Sequence, residues 1–184
     1  GPTHMTGRGG GRCSTALAYL TPARRRANLT VITEAEVDRL TFAGLTVTGV
    51  RYRQKGLERS AKARKEVILS AGSVGSPALL QRSGVGPLSV LLSAGVPVRH
   101  DLPGVGENLQ DHLEVYFQYR CKQPITINGY LGWLSKFRIG AQWVLTKTGL
   151  GATNHFESCG FIRSRAGLAY PDIQYHFLPA AIRY

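Results

Sequence analysis

The run Gly72-Ser73-Val74-Gly75-Ser76-Pro77-Ala78-Leu79-Leu80-Gln81-Arg82-Ser83-Gly84-Val85-Gly86 is the most constrained string in the sequence. It follows Glu66-Val67-Ile68-Leu69-Ser70, which reads as a buried strand, and passes through Ala71-Gly72 into a helix start marked by Ser76-Pro77. Small residues at the end of a buried strand let backbone approach a ligand closely. A helix N-terminus behind them offers unpaired N–H groups and the positive end of a dipole to a phosphate. That chemistry suits a dinucleotide, although the same residues also make an ordinary strand-to-helix turn. Further on, the alternation from His112 to Tyr119 places Glu114 and Tyr116 on one face of a predicted strand. Glu114 reads equally as a solvated carboxylate, and His112 and His176, each on a predicted strand, read as structural or as parts of a site. Two glycine clusters miss the G-x-G-x-x-G pattern: Gly7 to Arg12 fails at its last position and follows no strand, and Gly104 to Leu109 fails as well. Metal-ligand spacing, a Walker-type loop and a Gly-x-Ser-x-Gly elbow are all missing from the sequence.

The elements that must position these residues follow from pattern. Residues 1–12 are Gly-rich without apolar periodicity and are expected to be a flexible lead-in. Leu29–Thr33, Val37–Phe42 and Val47–Tyr52 read as three strands of a small meander, the last two joined by a turn at Ala43-Gly44. The helix opened at Ser76-Pro77 is expected to stop at Ser83-Gly84, and a second, Leu88–Ala94, at Gly95. Leu102 to Gly106 is turn-rich. Leu131–Leu145 carries Trp133, Leu134, Phe137, Ile139, Trp143 and Val144 at helical spacing, and Phe156–Ile162 and Ile173–Leu178 read as two more strands.

Composition bounds the possibilities. A chain of 184 residues with 43% apolar and 18% charged residues has the make-up of a globular protein. No apolar stretch approaches the roughly 18 residues of a membrane span. Three cysteines, Cys13, Cys121 and Cys159, argue against a complete disulfide framework and for a reducing setting. The net charge of +12 is the one feature that suggests a nucleic-acid or anionic-surface module. The basic residues are dispersed, however, with Arg24-Arg25-Arg26 the only dense run, so no nucleic-acid partner is expected.

The string from Gly72 to Gly86 resembles a signature of the glucose-methanol-choline (GMC) oxidoreductases: small residues, Ser-Pro, a Leu pair, then Ser-Gly-aliphatic-Gly. Leu102-Pro103-Gly104-Val105-Gly106-Glu107-Asn108-Leu109-Gln110-Asp111-His112 resembles a second block of the same family, in the right order. Asn28-Leu29-Thr30-Val31 with Ala35-Glu36-Val37 resembles the segment that sets a Val backbone against the adenine of FAD. Within the family, Asp111-His112-Leu113-Glu114, Gly151-Ala152 before Phe156-Glu157, and Ile173 to Pro179 resemble the choline-oxidising branch.

The resemblance implies an α/β fold: part of an FAD-binding Rossmann-like domain over residues 13–114, and over 115–184 part of a substrate domain built on an antiparallel sheet backed by helices. It implies FAD as cofactor, with contacts at Val37, Ala71, Gly72, Asn108 and Asp111. It implies choline as substrate, oxidised to betaine aldehyde, with Glu114, His112, Phe156 and His176 around it. A quaternary ammonium has no N–H to donate, so a carboxylate's field and aromatic faces must hold it. By the same resemblance the sequence is an internal segment. The family's pyrophosphate loop and its catalytic histidine are expected outside it, the latter beyond Tyr184, and the segment alone is expected to be inactive. An inner-membrane association of the parent enzyme is implied too. Another alcohol as substrate is the alternative within the family; the electron acceptor is open.

Overall fold

A computed structural model describes residues 7–153, 155, 156 and 158–180. The chain divides into two compact units, one spanning Val31–Glu114, the other joining the stretch up to Thr30 with Val115 onward.

In the unit that contains the chain's beginning, Gly7–Arg8 (β1) and Gly11–Arg12 (β2) pair antiparallel around Gly9 and Gly10, whose φ angles of +57° and +69° suit residues without a Cβ. Residues 7–12, expected to lack regular structure, thus form a minimal hairpin. It docks on a helix far along the chain: the Trp143 indole N–H donates to the Gly10 carbonyl at 2.7 Å. A π-helical turn, Ala16–Leu20, runs into the short helix Thr21–Ala23 (α1).

The Val31–Glu114 unit opens with an antiparallel meander of Ala35–Ala43 (β3), Thr46–Gln54 (β4) and Leu57–Lys62 (β5). The strands read at Val37–Phe42 and Val47–Tyr52 form as expected, with their turn at Gly44-Leu45 rather than Ala43-Gly44, but the third strand lies after them rather than at Leu29–Thr33, which is irregular. A bulge falls at Asp38, between the Val37↔Tyr52 and Arg39↔Arg51 pairs. The bulged carboxylate takes hydrogen bonds from Arg39 Nε at 2.7 Å and Arg51 Nη2 at 3.3 Å, and these two cations, Arg39 foremost, hold it below the usual carboxylate range.

Glu66–Ser70 forms no strand. A buried strand must pair its N–H and C=O groups with flanking strands, and no described strand lies beside it. The helix after it, Gly72–Arg82 (α2), starts a turn before Ser76-Pro77, so Pro77 lies inside it and the Ser73 carbonyl goes without its usual i+4 donor. The helix ends as expected at Ser83, with Gly84 at φ +87°. Val85–Gly86 (β6), Leu88–Ser93 (α3) and His100–Asp101 (β7) follow, with β6 and β7 parallel and α3 in the crossover. The core here is Leu40, Leu79 and Leu91, the last only 1% exposed.

From Asn108 to Tyr119 no regular element forms. No strand is formed by His112 to Tyr119, which corrects the strand expected there. Trp133–Thr146 (α4) forms as read, closed by Lys147 in the left-handed region, with the ammonium 3.8 Å from the Trp143 ring centroid. Ser158–Ile162 (β8) and Ile173–Phe177 (β9) also form as read, as an antiparallel ribbon. Among the described residues no helix is long and apolar enough to cross a membrane, and none of the three cysteines forms a disulfide.

Candidate functional site

The first cluster of predicted site residues surrounds the start of α2. Ala71 caps the helix, and its N–H donates to Ser76 Oγ at 3.0 Å, a bond that reaches back over the first turn. Gly72 has φ +86°, and nothing lies within 4 Å of the position a Cβ would take, so the backbone there is open to close approach. Val37, on β3, lends its carbonyl to Arg82 Nη2 at 3.3 Å, so one of its backbone polar groups is held by the C-terminal end of α2. The same helix end is pinned more tightly by the buried Ser83, whose hydroxyl accepts the Leu40 N–H at 2.9 Å and donates to the Leu79 carbonyl at 2.6 Å.

Gln81 joins the two glycine-bearing blocks, a role the sequence reading missed. Its amide donates to the Val105 carbonyl at 3.0 Å. A Cβ on Gly86 would come within 2.9 Å of Gln81 Cγ, and one on Gly106 within 2.7 Å of Gln81 Nε2. Gly86 is thus crowded by the stem of the Gln81 side chain, while Gly106 is favoured as glycine by its φ of +85°. Gln81 lies inside the first of these blocks, and nothing local marks its tie to the second. Downstream, Asn108 occupies the left-handed region at φ +56°, and Asp111 Oδ1 accepts the His112 N–H at 2.8 Å. His112 and Glu114 follow on the exposed irregular segment.

The second cluster lies on the β8–β9 ribbon. His176 faces Cys159 in the cross-strand register, and Phe156 stands just before β8. Their rings meet edge to face, with centroids 5.6 Å apart at 74°. Two residues 20 positions apart in sequence are thus brought into direct contact. Glu157, quoted with Phe156 in the sequence motif, lies outside the described residues. No group of three or more metal-ligating side chains occurs among the described residues.

The chain matches the pattern of the GMC oxidoreductase family over residues 1–114. It is 61% identical, over its whole length, to an oxygen-dependent choline dehydrogenase of Photobacterium profundum, covering 32% of that protein. It is 58% identical to the enzyme of the same name from Vibrio vulnificus, covering 33% of it. The chain therefore spans about a third of the length of these relatives. Among solved structures it is similar to formate oxidase, with a TM-score of 0.73 at 27% identity over 84% of this chain and 27% of that one. An FAD-dependent oxidoreductase from Chaetomium thermophilum gives a TM-score of 0.70, also at 27% identity, over 84% of this chain and 28% of that one. With the family pattern covering well over half of its residues, and carrying the turn into α2 at Ala71-Gly72 and the loop that Gln81 ties to it, this chain belongs to the GMC oxidoreductase family.

Proposed function

We propose that the chain supplies part of the cofactor cradle and part of the substrate site of an FAD-dependent dehydrogenase that oxidises choline to betaine aldehyde. The observation that carries this reading is 61% identity, unbroken over all 184 residues, with an oxygen-dependent choline dehydrogenase. The residues fit a flavin dinucleotide in one respect. Gly72 offers open backbone at the head of α2, where the first helical turn presents N–H groups to an anion. Ala71, Gly72, Val37, Asn108 and Asp111 are the residues assigned to hold it. When bound, FAD would supply the hydride acceptor. The chain's own groups bind and orient the alcohol. Glu114 is assigned the negative field for the trimethylammonium group, and His176, with the Phe156 ring against it, the hydroxyl. His176 can accept or donate a hydrogen bond at the hydroxyl through either ring nitrogen; His112 is assigned to substrate binding as well.

The test is Glu114→Gln in the flavin-loaded enzyme that contains this chain. The KM for choline should rise about tenfold, the equivalent of about 1.4 kcal/mol. The neutral isostere 3,3-dimethylbutan-1-ol should be unaffected. An unchanged choline KM would move the assignment to another alcohol.

A further inference from the structure

We infer that Phe156 is a positioning residue for His176, and that the turn at Thr153 and His155 is the device that aims it. The inference rests on the proposed placement of His176 beside the substrate hydroxyl. The backbone of His176 is held by the β8–β9 ladder opposite Cys159, but a ladder fixes only the direction of the Cβ and leaves both side-chain torsions free. An imidazole that must meet a hydroxyl needs those torsions restricted, and the edge-to-face contact with Phe156 at 5.6 Å restricts them. Phe156 in turn is 41% exposed, so burial alone does not set its ring.

Its direction comes in part from the residue before it. His155 sits at φ +64°, a conformation uncommon for a residue with a Cβ, though histidine is among those that tolerate it. Thr153 holds it there: its Oγ1 accepts the His155 N–H at 3.3 Å and lies 3.2 Å from His155 Nδ1 in a second hydrogen bond. Thr153 is itself extended, at φ −98° and ψ 160°, closing the short 3-10 turn Leu150–Ala152. Left-handed His155, held by extended Thr153, immediately precedes Phe156, whose ring meets that of His176. Thr153 and His155 thus act on the site through Phe156.

The experiment reads the His176 ring by proton–carbon NMR in the chain as it stands, its signals assigned by their loss in His176→Gln. In Phe156→Leu the His176 ring protons should lose the displacement caused by the phenyl ring current; in Phe156→Tyr they should keep it. Thr153→Val, which removes only the hydroxyl, should reduce the displacement while leaving both rings present. His176 signals that stay in place in Phe156→Leu, or a Phe156→Tyr chain that fails to retain them, would overturn the inference. If Phe156→Leu unravels the ribbon, Thr153→Val decides: an undisturbed His176 signal there rejects the device. In the flavin-loaded enzyme Phe156→Leu should lower kcat about tenfold with the KM for choline unchanged. A raised KM with kcat intact would make Phe156 a direct contact of the ammonium and reject the positioning role. None of the NMR signals requires choline, so a wrong substrate would leave them as stated and fail only the functional proposal.

Discussion

The hydroxyl of Ser83 accepts from Leu40 on β3 and donates to Leu79 within α2, so a single buried oxygen closes the helix and ties it to the sheet. Replacing it with a methyl group leaves the Leu40 N–H without its acceptor at a site only 6% exposed. Ser83→Ala should therefore cost about 1–3 kcal/mol, the usual penalty for a stranded buried donor, read from the shift of the urea midpoint at constant slope. From sequence Ser83 was legible only as a helix stop beside Gly84. Its tie to a strand 43 positions earlier has no local signature. The same holds for Gln81, whose two glycine neighbours are conspicuous while the side chain between them is not. Phe156 and His176 stood out by resemblance, but their mutual contact and its support at Thr153 and His155 depend on backbone angles that residue types alone do not specify.

At the scale of elements, α3, α4, β8 and β9 were legible because each carries its own instructions: helical spacing, with a glycine stop for α3, or a short β-branched and aromatic run with a partner close along the chain. Among the described residues, the strands read at Leu29–Thr33 and Glu66–Ser70 fail for a common reason. Alternation or an apolar run describes a segment that can pair, while a strand exists only where another backbone meets it. The β8–β9 connection shows the opposite case, a loop organised by side chains. Asp172 accepts the Ser164 N–H at 2.8 Å and the Ser164 hydroxyl at 2.6 Å. Arg163 binds the Leu168 and Ala169 carbonyls inside the same loop. The Ser164 hydroxyl, then its N–H, hold Asp172 below its ordinary value of 3.8. A carboxylate with a lowered folded-state pKa contributes stability that is complete above its unfolded value and is lost as pH falls through the folded one. The clasp should thus be intact near neutrality and open only below about pH 4, where amide exchange at Ser164 should accelerate. Asp172→Asn should remove that acid transition, and a Ser164 amide equally protected at pH 7 and pH 2 would show that the clasp does not depend on charge.

For the whole molecule, the α/β character and family membership were legible because the signature strings sit on real elements, α2 and the loop that Gln81 ties to it. The cofactor question turns on what those elements can and cannot do together. Dinucleotides are held chiefly at the pyrophosphate, by a glycine-rich loop against a helix N-terminus, and the sequence holds no G-x-G-x-x-G that follows a strand. What the Val31–Glu114 unit offers instead is the open backbone at Gly72 and the Val37 carbonyl, already engaged by Arg82. These can place an adenine or line a flavin edge, but they give the two phosphates few donors. The 184-residue chain titrated with FAD should accordingly bind more weakly than about 1 μM, the affinity that corresponds to about 8.2 kcal/mol, and should lose the flavin on gel filtration. Tight retention that is abolished by Gly72→Val, which would fill the open space at the head of α2, would show instead that this turn by itself carries the phosphates.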